Sequence, residues 1–154
     1  MGALIQGVHV IHDAGVQVMR YFNTQFWTDK ALSGEVQHLQ SKCYFNPGVM
    51  LVNLDAWRHN KIENKIEHWM NIQHNVMRIY ELGSLPPMLL ALAGDVEPIP
   101  NSWNKHDLGG PCREFNVEAA NIMHWSGDGK PWRRLGQKYE CEFDREWEKY
   151  DVKI

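Results

Sequence analysis

The sequence has no long hydrophobic run and no basic cluster, and each absence excludes a class of protein. The apolar stretch at residues 3–11 is interrupted by Gln6 and His9, so it is too short to cross a bilayer and is unlike a signal peptide. A formal net charge of −3 gives no electrostatic basis for binding nucleic acid or a membrane surface. The composition, 44% hydrophobic and 23% charged, predicts one ordinary globular domain over residues 1–154.

Cysteine is also scarce, and the three residues Cys43, Cys112 and Cys141 lack the spacing of a metal site. An odd number allows at most one internal disulfide, for which Cys112 and Cys141 are the pair to test. Buried free thiols are the alternative.

Tryptophan, by contrast, is abundant, with seven residues in a chain of this length. Exposed aromatic rings of this kind either line sugar sites or close loops over a core, and the sequence favours neither interpretation. Several lie outside any periodic core pattern: Trp27, Trp103, Trp125, Trp132 and Trp147.

Alternating strand and helix signals predict an α/β fold. The continuous apolar run Val49 to Leu54 predicts a strand buried on both faces, and the turn signature Asn46-Pro47-Gly48 precedes it. Helical spacing of apolar residues predicts a helix over 56–76, which Asn60 could divide, and a second helix over 84–94.

Other parts of the chain carry weaker signals. Residues 1–19 have β-like content without a clear period, and residues 21–27 are predicted to form an aromatic-rich surface segment. The apolar run 119–123 predicts a strand that delivers His124 to its carboxyl end, where ligands of open α/β sheets gather.

The segment His124 to Trp132 contains the most informative group of residues in the chain. His124 offers an imidazole to a metal, and Lys130 offers a compact positive charge to phosphate. Between them, Gly127 and Gly129 allow a tight turn and a close approach of the backbone to an anion. These residues predict a site for a divalent cation beside a diphosphate.

Further polar clusters suggest a sugar site, since sugar hydroxyls must be paired once water is expelled. Asn46, Gly48 and Ser84 are the candidate catalytic residues, and their clusters would face the same way as residues 101–110 and His124 if the sheet is parallel.

Two further residues of the polar loop, His106 and Asp107, are also candidates for the chemistry, but a surface ion pair between them is the favoured interpretation. Asn101 and Asn104 are expected to form turns.

Four motifs, in this order and within about residues 20–151, resemble glycosyltransferase family 8, specifically its plant galacturonosyltransferase-like branch. They are Tyr44-Phe45-Asn46-Pro47-Gly48-Val49-Met50-Leu51-Val52-Asn53-Leu54, Leu82-Gly83-Ser84-Leu85-Pro86-Pro87, Trp103-Asn104-Lys105-His106-Asp107-Leu108-Gly109-Gly110 and His124-Trp125-Ser126-Gly127-Asp128-Gly129-Lys130-Pro131-Trp132.

The resemblance implies a nucleotide-diphosphosugar transferase fold (GT-A, Rossmann-like), a Mn²⁺ ion and a UDP-sugar donor. It implies a hexosyltransferase that moves a sugar such as galacturonic acid onto a growing polysaccharide such as pectin, with retention of configuration, in the Golgi lumen. By the same resemblance, His124 is a metal ligand, Lys130 contacts the donor diphosphate, the backbone at Gly127 lies beside those phosphates, and Asn46 is near the donor sugar.

The sequence departs from the family pattern at two points. It contains no Asp-x-Asp motif, which in the family supplies two carboxylate metal ligands, and Pro47 stands where a small hydroxyl residue is usual. We therefore expect the carboxyl-terminal half of a transferase domain. The alternatives are a catalytically inactive truncated relative that binds carbohydrate or a partner transferase, and a truncated product without stable function.

Overall fold

The computed structural model describes residues 8–81, 83–92 and 95–152, without the side chains of residues 11–15. The chain divides into two compact units, Met1–Ile99 and Pro100–Ile154. Within the described ranges, no helix has the length and apolar character needed to span a membrane.

The first unit combines helices with a three-stranded sheet of order β2-β1-β3. β1 pairs antiparallel with β2, with Val8 opposite Val52, and parallel with β3. The elements in chain order are β1 (Val8–Gln17), α1 (Thr24–Thr28), α2 (Lys30–Ser33), β2 (Cys43–Val52), α3 (Leu54–His59), α4 (Ile62–Asn75), α5 (Leu85–Leu92) and β3 (Glu97–Pro98).

The sheet corrects two expectations about the segment around Asn46. The sheet is mixed rather than parallel, and Asn46-Pro47-Gly48 lies inside β2 rather than in a turn before it. The strand is not buried on both faces either, because Leu51 keeps 64% of its surface exposed. Asn46 and Gly48 therefore lie within a strand, and not in the turn that was predicted to precede it.

The predicted helices are present, with one interruption. Lys61, with a φ of 51°, separates α3 from α4 because a left-handed residue cannot continue a right-handed helix. The side chain of Asn53 caps α3 by accepting from the amides of Asp55 and Ala56, at 3.0 and 3.1 Å. The predicted second helix is α5, in which Pro86 lies in the first turn, where its missing N–H is not needed.

The core of the first unit includes an aromatic cluster that the sequence placed at the surface. Phe22, Phe26 and Trp27 are buried, with ring centroids 5.4 Å apart for the two phenylalanines and 5.5 Å for Phe22 and Trp27. Asn23 caps α1 by accepting from the amide of Phe26 at 2.8 Å. This short helix carries the rings into the core, so the prediction of a surface segment is wrong.

The second unit contains only short elements within its described residues, including α6 (Pro131–Arg134) and α7 (Arg145–Glu148). The strand predicted over 119–123 is absent: Val117–Ala119 forms a 3₁₀ turn, and Met123 makes a single parallel bridge to Lys105. A disulfide joins Cys112 to Cys141, which confirms the pair singled out from the sequence.

A buried ion pair lies at the centre of the second unit. Arg134 donates to the carboxylate of Asp144 at 2.7 Å and to the carbonyl oxygens of Leu108 and Gly110 at 2.6 and 2.8 Å. The same carboxylate accepts from the indole N–H of Trp125 at 2.7 Å. These bonds connect the segment of Leu108 and Gly110, and the segment of Asp144, to α6. A small apolar cluster in the same unit contains Leu108, Cys141 and Phe143.

Candidate functional site

His124 is held in a defined orientation by bonds from both its backbone and its side chain. Its amide donates to the carbonyl of Lys105 at 2.9 Å. Its Nδ1 donates to the side-chain oxygen of Asn104 at 2.9 Å, and Asn104 is only 1% exposed. With the proton on Nδ1, the lone pair of the ring is on Nε2. A fixed tautomer of this kind is the usual arrangement of a metal-ligating histidine.

Asn104 is a site residue that the sequence reasoning missed. It was expected to form a turn, but its buried side chain orients the imidazole 20 positions further along the chain. Its Nδ2 is also buried and has no hydrogen-bond partner among the described residues. The signal that could have found it was its place in the motif from Trp103 to Gly110, because an amide side chain in one loop can bond to a residue of a neighbouring loop.

The charge state of His124 suits a ligand. Burial lowers the pKa of its imidazole below the ordinary value of 6.5, and the positive charges of His106 and Lys130 lower it further, against an opposing effect of Asp107. The neutral ring that binds metals is therefore the form present at neutral pH.

Lys130 is placed by the start of α6. It is the residue that precedes the helix, and Pro131 fixes the first helical turn. The half-buried side chain donates from Nζ to the carbonyl oxygen of Trp125. One of the three ammonium protons is used in this bond, so two remain to contact an anion.

Three glycines let the two loops of the site pack backbone against backbone. A Cβ on Gly109 would lie 2.3 Å from the carbonyl oxygen of Ser126, and one on Gly129 would lie 2.5 Å from that of Gly109. Gly127 has a φ of 95°, which side chains disfavour. The glycines therefore have a packing role here, and Gly127 stays a prediction as a phosphate contact.

The predicted pair of His106 and Asp107 is confirmed, with Nδ1 of the histidine 2.9 Å from a carboxylate oxygen. Although burial alone would raise the pKa of Asp107, the hydrogen bond and charge of His106 outweigh it and lower the pKa, helped by Ser126 and Arg113. Asp107 also has a φ of 67°, and its amide donates to the hydroxyl of Ser126 at 2.7 Å. The pair thus joins the loop of Asn104 to the loop of His124.

The structure groups the sequence-predicted residues by unit. His124, Gly127 and Lys130 lie together in the second unit. In the first unit, the side chain of Asn46 accepts from the amide of Gly48 at 2.8 Å within β2, and exposed Ser84 directly precedes α5. The roles proposed for Asn46, Gly48 and Ser84 stay predictions.

The residues of the site can supply one ligand to a metal ion. Among the described residues, no group of three histidine, cysteine or acidic side chains is placed to hold an ion. Mn²⁺ prefers several oxygen ligands. His124 can supply one nitrogen ligand to such an ion.

Comparison with known sequences finds one family and a group of plant relatives. The model of glycosyl transferase family 8 matches residues 6–136. Probable galacturonosyltransferase-like 8 of Arabidopsis thaliana is 48% identical over 138 residues, covering 86% of this chain and 35% of the relative. Probable galacturonosyltransferase-like 10 of the same plant is 46% identical, with 86% and 38% covered. The chain spans a little over a third of the length of these relatives.

Comparison with solved structures finds the same fold. An active-site mutant of LgtC matches 99% of this chain and 55% of its own length, with a TM-score of 0.57 and 18% identity. The galactosyltransferase LgtC in complex with donor and acceptor sugar analogues matches with a TM-score of 0.56 and the same identity. These matches show a partial GT-A glycosyltransferase fold, as the sequence resemblance implied.

Proposed function

The chain belongs to glycosyl transferase family 8, and from this premise we propose that it carries the part of a UDP-sugar-dependent hexosyltransferase that holds the donor diphosphate. In this proposal His124 is one ligand of a Mn²⁺ ion, and Lys130 contacts the diphosphate. Gly127 and its glycine neighbours let the backbone approach the phosphates.

One observation carries the proposal: Asn104 holds the imidazole of His124, and the ammonium of Lys130 is bonded to the carbonyl of the next residue in the chain, Trp125. A neutral imidazole suits a cation, whereas an ammonium suits an anion. A metal-bound diphosphate offers both charges at once.

The chemistry of the site follows from where charge develops. When the bond between the sugar and UDP breaks, negative charge grows on the departing diphosphate. A bound Mn²⁺ would supply positive charge at this point. Lys130 supplies a second positive charge, held in place by its bond to Trp125. On the sugar side, we assign Asn46, Gly48 and Ser84 to contacts with the transferred residue.

The names of the relatives support a finer assignment. Since they are named galacturonosyltransferase-like, we propose galacturonic acid as the transferred sugar and a growing polysaccharide such as pectin as the acceptor. Retention of configuration and a location in the Golgi lumen belong to the same proposal.

Isothermal calorimetry tests the diphosphate site directly. UDP is titrated into the 154-residue chain with and without Mn²⁺, and into three variants. We expect binding that depends on Mn²⁺, that His124→Ala abolishes, and that Lys130→Ala weakens. Lys149→Ala is the matched control because its ammonium is bonded to Glu146.

The calorimetric result separates the hypotheses. Equal affinity in the Lys130 and Lys149 variants would contradict the assignment of Lys130. Absence of UDP binding to the unsubstituted chain would overturn the donor site and favour the alternative, a relative that binds carbohydrate or a partner transferase without catalysis. In a transfer assay, we expect the chain by itself not to turn over UDP-galacturonate, and UDP release that requires Mn²⁺ and His124 would contradict this expectation.

A further inference from the structure

A pair of indole rings, the exposed Trp132 and the half-buried Trp147, lies in the second unit. The ring centroids of Trp132 and Trp147 are 5.7 Å apart and inclined at 52°, and Trp132 keeps 57% of its surface exposed. The two rings share a cavity of about 610 Å³ with Leu135, Glu148 and Asp151. This volume is within the range of small-molecule sites in proteins.

The polar groups of this cavity are unused within the described part of the chain. Among the described residues, neither indole N–H of the pair donates to a protein acceptor, whereas the N–H of Trp125 is bonded to Asp144. In the same described ranges, the carboxylates of Glu148 and Asp151 take part in no ion pair, whereas neighbouring Glu146 is bonded to Lys149. The lining of the cavity therefore includes two indole side chains and two carboxylates.

We propose that this cavity, the indole pair with Glu148 and Asp151, is a subsite for a neutral pyranose residue of a glycan. The C–H face of a sugar ring packs on an indole, and its hydroxyls can donate to carboxylates and accept from the indole N–H groups. Such a ligand offers partners to both kinds of polar group in the lining, the carboxylates and the indole N–H groups.

Charge selects against the two competing ligand types. A uronate residue would bring a third carboxylate beside Glu148 and Asp151, and this like-charge contact weakens binding. A cation would be attracted by the ring faces and the carboxylates, but it would leave both indole N–H donors without an acceptor. A neutral sugar avoids both conflicts.

The subsite is close in the chain to the proposed diphosphate site. Trp132 follows Lys130 by two residues and belongs to α6, which Lys130 precedes. That the bound residue belongs to the glycan acceptor rests on the proposed function. The binding itself does not, since it needs neither UDP nor a metal.

Nuclear magnetic resonance of the indole N–H groups tests the subsite. The probes are fully methyl-esterified tetragalacturonate, free tetragalacturonate and tetramethylammonium, each titrated into the 154-residue chain without UDP or Mn²⁺. The ester and the acid have the same rings and differ in charge. We expect the signals of Trp132 and Trp147 to shift with the ester, and the free acid to bind about fivefold more weakly.

Two matched pairs of variants locate the effect. Trp132→Ala should abolish ester binding, whereas Trp103→Ala, which removes another exposed indole of the same unit (48% exposed), should not. Glu148→Gln should reduce the preference for the ester over the free acid, whereas Glu118→Gln should leave it unchanged.

Several results would overturn the subsite. The first is that tetramethylammonium shifts the two signals and the ester does not. The second is that no probe shifts them. The third is that the shifts follow protein concentration alone, which would indicate contact between two copies of the chain. Because the calorimetric test of the proposed function uses UDP and Mn²⁺, failure of one proposal is distinguishable from failure of the other.

Discussion

The buried carboxylate of Asp144 is expected to be the most sensitive point of the second unit. The side chain is fully buried and accepts three bonds, from Arg134 and Trp125 at 2.7 Å each and from the amide of Cys141 at 2.8 Å. Asp144→Ala removes all three bonds at once. It also leaves the guanidinium of Arg134, whose side chain is 5% exposed, without its counter-charge.

The size of the effect follows from this geometry. Breaking a buried ion pair by removing one partner costs about 3–5 kcal/mol, because the remaining charge stays out of water. The pair of Arg145 and Glu140, at 2.8 Å, provides the control. The side chain of Arg145 is 64% exposed, so Arg145→Ala should cost less than about 1 kcal/mol.

Urea unfolding with the disulfide oxidised measures both variants. With a slope of roughly 2 kcal/mol per molar urea, Asp144→Ala should lower the unfolding midpoint of the second unit by about 2 M, and Arg145→Ala by less than about 0.5 M. Tryptophan fluorescence follows the unfolding, and Trp125 is one of the indoles of this unit that contribute to it.

A double-mutant cycle shows whether the ion pair is the cause. In an Arg134→Ala background, Asp144→Ala should cost at least about 1 kcal/mol less than it does alone, since residues in direct contact couple. Equal costs in both backgrounds, or a midpoint for Asp144→Ala no lower than for Arg145→Ala, would refute the reasoning.

Further predictions concern the loops of the site. The pKa of His124 is lowered by burial, His106 and Lys130, so proton NMR should give a midpoint below 6.5 that Lys130→Ala raises; an unchanged midpoint would contradict their proximity. As the pH falls, the unfolded chain binds a proton at His124 at a higher pH than the folded chain does. The contribution of His124 to stability is therefore full above pH 6.5 and is lost as the pH drops through the lowered pKa. His124→Gln should remove this pH dependence in urea titrations. Gly129→Ala should lower the thermal midpoint because its Cβ would lie 2.5 Å from a backbone oxygen, whereas Gly34→Ala, with open space around its Cβ, should not; equal midpoints would show that the loops relax. Cys112→Ser should lower the free energy of unfolding by about 3–4 kcal/mol, since the disulfide spans 29 positions, and denaturant titration in the oxidised state checks the value.

Local patterns in the sequence were sufficient for the helices. The apolar spacing over 56–76 and the prolines before Met88 both lead to helices in the structure. Their caps depend on residues within one turn, so a short window contains the relevant information. The register of β1 against β2 depends on pairing between distant residues, which a short window does not contain.

The predictions that were wrong also concern contacts between residues that are distant in the chain. The ring of Phe26 is buried because Asn23 caps α1 and a core forms around it, and composition alone suggested an exposed segment. The apolar run that ends at Met123 suggested a strand, but only one bridge to Lys105 forms. The partner of His124 was missed since Asn104 is 20 positions away. The motif itself correctly identified the loop, while the contacts that orient it are tertiary.

Paramagnetic broadening by Mn²⁺ tests most directly whether His124 and Lys130 serve one bound metal–diphosphate. Substoichiometric Mn²⁺ is added to the chain with UDP, and the imidazole signals of the eight histidines are compared. The account predicts UDP-dependent broadening of the His124 signals, which Lys130→Ala reduces. Broadening at His124 that does not depend on UDP, or that is the same in the Lys130→Ala variant, would contradict it.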